Sequence, residues 1–248
     1  MTFKDHFSSA AQLYVDARPR YPDALIDFVA DVAPSRGQVW DAGCGNGQAS
    51  LALAERFTHV LATDPSAEQI ARAPAHERVR FLVERAEHSS ADLRSCDAVT
   101  VAQALHWFDL PLFFDEVRRV LRPQGVLVAW GYSAFHVSPA FDEAFTAHVL
   151  DAIEPDWPPE NQLLWHGYET IMFPGVPIEA PALDVEATWT LEALLAYVQT
   201  WSGVRRHRER TGHDVVVSAS GPLAVAFGEA RVARNIRMPI HLVARRFE

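Results

Sequence analysis

Val39-Trp40-Asp41-Ala42-Gly43-Cys44-Gly45-Asn46-Gly47-Gln48 passes from a short apolar run through three glycines at alternate positions into a helix-forming segment. Without a Cβ, the backbone there can turn sharply and a ligand can press against it. The run reads as strand, turn and helix, with a binding loop at the carboxyl end of the strand. A second apolar run ends in Thr63-Asp64-Pro65, and Asp64 stands 17 residues beyond Gly47. In a doubly wound sheet an acid at that place meets the ribose hydroxyls of a nucleoside bound across the strand ends. Loop and acid point at one nucleoside-like ligand.

Outward from this unit, short apolar runs alternate with helix-like stretches, the mark of successive βαβ units and a parallel sheet. Strands are expected at 38–41, 59–64, 79–84, 97–102 and 126–131, with helices at 48–57, 67–73 and 111–121 and a short third crossover near 88–95. Pro111 opens the last helix, and Arg122-Pro123 follows its end. Two later segments, 183–189 and 236–247, alternate like half-exposed strands and are expected to close the sheet as an antiparallel pair. The fold class expected is α/β, a Rossmann-like, mostly parallel sheet with helices on both faces. Residues 1–248 are expected to form one domain, with a core of about 36–131 plus the two later strands. A largely helical cap is assembled from 1–34, 133–180 and 190–231.

Composition narrows the partners. The 248 residues carry a formal net charge of −10, and Lys4 is the one lysine among 22 basic residues. Such a surface repels nucleic acid and favours a small-molecule partner. Cys44 and Cys96 are too few for a disulfide framework and lack the C-x-x-C spacing of a zinc site. No histidine pair has the spacing of a metal motif, so no metal is expected. The N-terminus lacks a signal-peptide core and no apolar run reaches 18 residues, so no membrane is expected and the chain is assigned to the cytoplasm. Composition leaves the oligomeric state open.

Glycine spacing separates the candidate nucleosides. The dinucleotide pattern G-x-G-x-x-G would need glycine at 48, where the chain has Gln48, and it usually lacks an acid two residues before its first glycine. The pattern here, D-x-G-x-G-x-G, resembles motif I of the class I S-adenosylmethionine-dependent methyltransferases. The likeness extends to His6-Phe7-Ser8-Ser9-Ala10-Ala11, Tyr14, Arg18-Pro19 and Tyr21-Pro22. It continues in Val101-Ala102-Gln103-Ala104-Leu105-His106-Trp107-Phe108, Leu121-Arg122-Pro123-Gln124-Gly125 and Thr200-Trp201-Ser202. These segments are similar to the trans-aconitate methyltransferase-like subgroup, whose members differ in acceptor.

The resemblance implies S-adenosylmethionine as cofactor and a role for each matched residue. Asp41, Gly43, Gly45 and Gly47 would line its methionine end, Asp64 would bind the ribose and Pro65 would lie beside the adenine. Ala86 and Glu87 would flank the adenine ring, Gln103 and His106 would sit near the sulfonium, and Tyr14 and Arg18 would lie over the cofactor. Independently, Tyr14 and Arg18 share a helix face that could pair a guanidinium with an amino-acid carboxylate, though the same spacing suits a solvated surface helix. His106 and Trp107 follow the fourth strand, where open sheets bind ligands, or they are core residues. They are the candidate catalytic pair, with Trp107 walling the sulfonium and His106 the candidate base. Cys44 has no base beside it in sequence and reads as packing.

Methyl transfer from a sulfonium requires acceptor and methyl carbon to be held in line with water excluded. A carboxylate acceptor is already ionised, whereas a phenol, alcohol or ammonium must lose a proton. Trp201 to Arg208 is the densest basic stretch. If helical, it sets Arg205 with Arg208 on one face and Arg206 with Arg210 on another, suiting O-methylation of a small carboxylic acid or forming a solvated face. A nicotinamide oxidoreductase and a cofactor-binding protein without turnover are the alternatives.

Overall fold

The structure is a computed structural model and describes residues 19–248. Tyr14 and Arg18, with Phe7, lie outside the described residues, as does most of the first expected cap segment.

Strands β1 (Gln38–Ala42), β2 (His59–Asp64), β3 (Val79–Val83), β4 (Cys96–Ala102) and β5 (Leu121–Gly131) pair in parallel. Two further strands, β6 (Val176–Ile178) and β9 (His241–Arg246), complete a sheet of order β3-β2-β1-β4-β5-β9-β6 among the described residues. From β1 the chain winds outward to β3, then returns to β4 and winds the other way to β5. Where the winding reverses, a crevice opens at the carboxyl ends of β1 and β4.

Alternation along the strands sends side chains to two cores. Val39, Val126, Val128 and Trp130 pack on one face with Leu25 and Val29 of α1 (Asp23–Val32) and Leu53 of α2 (Gln48–Ala54). Trp40, Leu127 and Ala129 pack on the other with Phe113 and Val117 of α4 (Leu110–Val120). Each large side chain fully buried this way contributes roughly 1.5–3 kcal/mol. Helix α3 (Ala67–Ala71) is capped by the Ser66 hydroxyl, which accepts the Gln69 N–H. Asp109 likewise accepts the Leu112 N–H at the start of α4, and Pro111 sits in its first turn. The crossover between β3 and β4 carries no helix.

The later strands differ in detail from the sequence expectation. β7 (Asp184–Trp189) and β8 (Arg234–Pro239) do form an antiparallel pair, but as a separate two-stranded sheet. Residues 236–247 divide after Pro239, which is paired with Asp184 at the end of β8, and Ile240 donates to the Leu183 carbonyl at 2.9 Å. The remainder becomes β9, antiparallel to β5, with Val126 opposite Arg246 and Gly131 opposite His241. β6, three residues with Pro177 at its middle, was expected within the cap and pairs at the sheet edge instead. Between β5 and β9 the chain makes a long excursion. It forms α5 (Pro139–Phe145), α6 (Asn161–Trp165), α7 (Leu191–Gln199), α8 (Ser202–Thr211) and α9 (Val215–Phe227). No helix among the described residues is long and apolar enough to cross a membrane.

Candidate active site

The loop after β1 is stitched to the end of β2. The Gly43 and Cys44 N–H groups both donate to the Thr63 carbonyl, at 2.8 and 3.0 Å, and Gly45 N–H donates to Asp64 Oδ2 at 2.9 Å. Gly47 sits at φ +90°, where a Cβ would meet the Phe81 ring at 2.6 Å, so packing demands glycine there. Gly45 is different. At φ +57° its Cβ would meet nothing within 4 Å, because it would project into the large cleft that the loop borders.

That cleft, about 1640 Å³, runs from the glycine loop past the end of β4 to the helical excursion. Gly43, Gly45, Asp64, Pro65, Ala86 and Glu87 line one part of it. Asp64 also accepts the Ser66 N–H at 2.8 Å, and Glu87 is held by Arg85 Nε at 3.1 Å and by the Asp109 N–H at 2.9 Å. Asp41 and Gly47 are not among the cleft-lining residues. Asp41 lies fully buried beneath the loop, accepting from Ser50 Oγ at 2.6 Å and Thr100 Oγ1 at 3.1 Å. Burial raises its carboxyl to about 6 against those two hydrogen bonds, and the charge of Asp64 adds to the rise. Cys44 is buried too, and burial followed by the negative charge of Asp41 and Asp64 drives its thiol well above the usual range, away from nucleophilic use.

Beyond β4, Gln103 adopts φ +57°, and its side-chain amide clamps one residue of β5's exit: Nε2 donates to the Tyr132 carbonyl and Oε1 accepts the Tyr132 N–H, each at 3.0 Å. His106 follows on the turn Leu105–Trp107. Its Nδ1 lies 3.4 Å from the Tyr168 hydroxyl, and its ring lies 4.8 Å from that of Trp107. Burial pushes the Tyr168 phenol up, so it stays protonated. Gly131 makes room for this cluster, since a Cβ there would strike Leu164, Gln103 and Tyr168.

The far half of the cleft is aromatic, and sequence reasoning left most of it unassigned. Trp157 meets Trp165 edge-on at 5.5 Å and lies 5.8 Å from Trp201, which meets Tyr197 edge-on at 5.8 Å. All four line the cleft. The richness of 155–201 in tryptophan was the available signal, but periodicity does not tell which ring faces a cavity.

The basic stretch does not join them. Arg205, Arg206, Arg208 and Arg210 are absent from the cleft lining. Arg210 Nη2 donates to the buried Asp156 carboxylate at 2.7 Å, His207 Nδ1 lies 2.8 Å from the same group, and Arg208 faces Asp214 at 3.7 Å. Hydrogen bonds from Arg210 foremost hold the Asp156 carboxyl below its ordinary value; burial opposes them and His207 adds to them. The stretch ties α8 to the turn Glu154–Asp156 that precedes Trp157. Among the described residues no group of three or more His, Cys, Asp or Glu is arranged to hold a metal.

Residues 40–129 match the family model described as a methyltransferase domain. A solved structure from Anaeromyxobacter dehalogenans, provisionally described as a type II methyltransferase, is 42% identical with a TM-score of 0.87, covering 92% of this chain and 97% of that one. A provisionally assigned methyltransferase of Dictyostelium discoideum is 27% identical over 97% of this chain and 94% of its own length. An uncharacterized methyltransferase of Mycobacterium tuberculosis is 42% identical over 123 residues, so the match spans about half of either protein, 49% of each. Fold, glycine loop and a near full-length relative at this identity agree, and the chain belongs to the S-adenosylmethionine-dependent methyltransferases.

Proposed function

We propose that this enzyme moves a methyl group from S-adenosylmethionine to an oxygen of a small molecule whose flat, apolar body packs in the tryptophan-lined half of the cleft. The observation that carries this is the continuity of one cleft from Gly45 to Trp201. Open space at the Gly45 Cβ position and an acid at the end of β2 fit an amino-acid tail and a ribose. In this proposal Gly43, Gly45 and the loop backbone hold the methionine end, Asp64 the ribose, and Pro65, Ala86 and Glu87 the adenine. Gln103 stands near the sulfonium. Asp41 and Gly47 act from below by holding the loop, and Tyr14 and Arg18 are assigned to the cofactor on the resemblance alone. We take 1–248 as one cytoplasmic catalytic unit; Cys44 and Cys96, buried and free, suit a reducing compartment.

When bound, the cofactor supplies an electrophilic methyl on a positively charged sulfur. The protein's own task is alignment and exclusion of water, for which a wall of indoles is suited. Gly43, Gly45 and Asp64 would hold the donor while the aromatic wall would bring the acceptor oxygen in line with the methyl carbon. The motifs shared with the trans-aconitate-like subgroup favour a carboxylic acid as acceptor, which needs no base. The absence of the α8 arginines from the cleft lining weakens that form, and a specific observation favours a second one. His106, with Nδ1 3.4 Å from the Tyr168 hydroxyl, is the imidazole that would take up a phenolic proton. Labelled S-adenosylmethionine supplied with organic acids, phenols and amines tests the proposal. Label on an acid or phenol supports it, and label confined to amines, or on nothing while the cofactor fails to bind, refutes it.

A further inference from the structure

Gly203 lies buried in the first turn of α8. It is absent from the cleft lining, although Trp201 and Ser202 just before it belong to that lining. Its φ is not positive, so the backbone makes no demand for glycine there, and within a helix alanine is the more stable choice. What forbids alanine is Trp157. A Cβ on residue 203 would stand 2.7 Å from Cε2, 2.9 Å from Cδ2 and 3.1 Å from Nε1 of that indole. Cε2 and Cδ2 are the atoms shared by the two fused rings, and they can be approached together this closely only over the face of the ring. The bare Cα of Gly203 is therefore the bed on which Trp157 lies flat.

The same helix fixes the residue before Trp157. Gly203, His207 and Arg210 are spaced four and three apart, one stripe of α8. His207 Nδ1 and Arg210 Nη2 both reach the Asp156 carboxylate, at 2.8 and 2.7 Å. With Asp156 anchored, the ring rather than the backbone has to yield to a methyl on residue 203. Trp165 and Trp201 already crowd that ring, at 5.5 and 5.8 Å between centroids. Carbon atoms pack at about 3.5 Å or more, so the indole would be driven off α8 by about 1 Å. Trp157 borders the cleft and Gly203 does not, so that displacement narrows the cleft. We propose that Gly203 is a positioning residue which, through Trp157, sets the girth of the acceptor that the aromatic half admits. The inference rests on the reading above that the acceptor's apolar body occupies this half, and it names the residue that gauges it.

Calorimetric titration, with S-adenosylhomocysteine present and absent, tests this on matched probes: 4-tert-butylphenol against 4-methylphenol, and 4-tert-butylbenzoate against 4-methylbenzoate. Gly203→Ala is expected to shift the affinity ratio by about tenfold against the bulky member, the size of effect that one methylene has in an apolar pocket. Affinity for S-adenosylhomocysteine should stay as in wild type, since the contact is with Trp157. A glycine needed for packing alone would lower the melting point without moving the ratio. On a Trp157→Ala background the same substitution should leave the ratio unmoved, because no ring remains for the methyl to strike. A ratio unchanged in Gly203→Ala, an equal change on the Trp157→Ala background, or no binding of any probe to wild type would each overturn the proposal. Should Gly203→Ala fail to fold, Trp157→Ala alone decides: a ratio shifted toward the bulky member supports the proposal, and an unchanged ratio overturns it. Failure of wild type to bind S-adenosylhomocysteine while the ratio shifts as expected would instead overturn the methyl-transfer reading alone.

Discussion

Asp64 and Gly45 are joined by a hydrogen bond of 2.9 Å from the glycine N–H to carboxylate Oδ2, so the acid that ends β2 also braces the loop that follows β1. Its other oxygen takes the Ser66 N–H at 2.8 Å. One side chain thus borders the cleft and fixes two backbone segments.

Asp64→Ala is therefore expected to do two things at once. It should weaken S-adenosylmethionine binding by about 1–3 kcal/mol, and lower stability by a similar amount by orphaning two N–H groups. Asp64→Asn, which keeps one acceptor oxygen, should fall between. Calorimetry and urea unfolding on the same preparations check both; equal affinity in the Ala variant would remove Asp64 from the binding site.

The two glycines that flank Asn46 should separate folding from binding. Gly47→Ala drives a Cβ into Phe81 at a positive φ and should cost roughly 2–4 kcal/mol of stability. Gly45→Ala should cost only about 1 kcal/mol for its left-handed conformation. Its added methyl stands in the cleft, so cofactor affinity should drop instead. Thermal unfolding paired with a binding isotherm reads the contrast, and a Gly45→Ala protein with undiminished affinity would contradict it.

Asp41 makes stability depend on pH in an unusual sense for a carboxylate. Its folded value of about 6 lies above the ordinary 3.8, so the folded protein holds a proton that the unfolded chain releases. That contribution is complete below about pH 4 and is lost as pH rises through about 6, by at most roughly 3 kcal/mol. Asp41→Asn should lose this component, gaining on wild type between acidic and neutral pH. Unfolding curves at pH 4.5 and pH 8 for both proteins test it; a parallel pair of pH profiles would count against a buried, reluctant acid.

His106→Gln should discriminate between acceptor types. If His106 receives a phenolic proton, turnover of phenols should fall by about a hundredfold or more, while turnover of acids changes little. Initial rates on one phenol and one acid suffice. Equal losses on both would make His106 a packing residue.

Asp156 anchors α8 behind the tryptophan wall. Asp156→Ala leaves His207 and Arg210 without their shared carboxylate and should raise acceptor KM while leaving cofactor affinity unchanged. Steady-state kinetics with a separate cofactor titration decide it, and a change in cofactor affinity alone would be the contrary result.

The meeting of the glycine loop and Asp64 at one end of the cleft was legible in the sequence because it depends on local spacing. Glycines at 43, 45 and 47 and an acid at 64 are set by one strand, one turn and the next strand. Asp41 and Gly47 were legible as a pattern but not as positions: spacing does not tell a residue that faces the cleft from one held beneath it by Ser50, Thr100 or Phe81. The aromatic half of the cleft was not legible. Trp157 and Trp201 meet only through tertiary packing, and the arginines of α8 looked like an anion site because Asp156, far away in sequence, could not be seen to claim Arg210. The division of 236–247 into β8 and β9, at Ile240, is one that alternation alone does not show.

Gly131 and His241 stand opposite each other on adjacent strands, so the chain leaves β5 and enters β9 at one point. Apart from β6, which returns to the sheet edge beside β9, the segment between them, the β7–β8 ribbon included, stands as a cassette set into the frame of the large sheet. Closing a longer or shorter detour costs only in proportion to the logarithm of its length. Trp157, Asn161 and Trp201 all belong to the cassette, whereas the glycine loop and Asp64 belong to the frame. On the proposed function, exchange of the inserted segment between relatives would change acceptor preference and leave donor recognition intact.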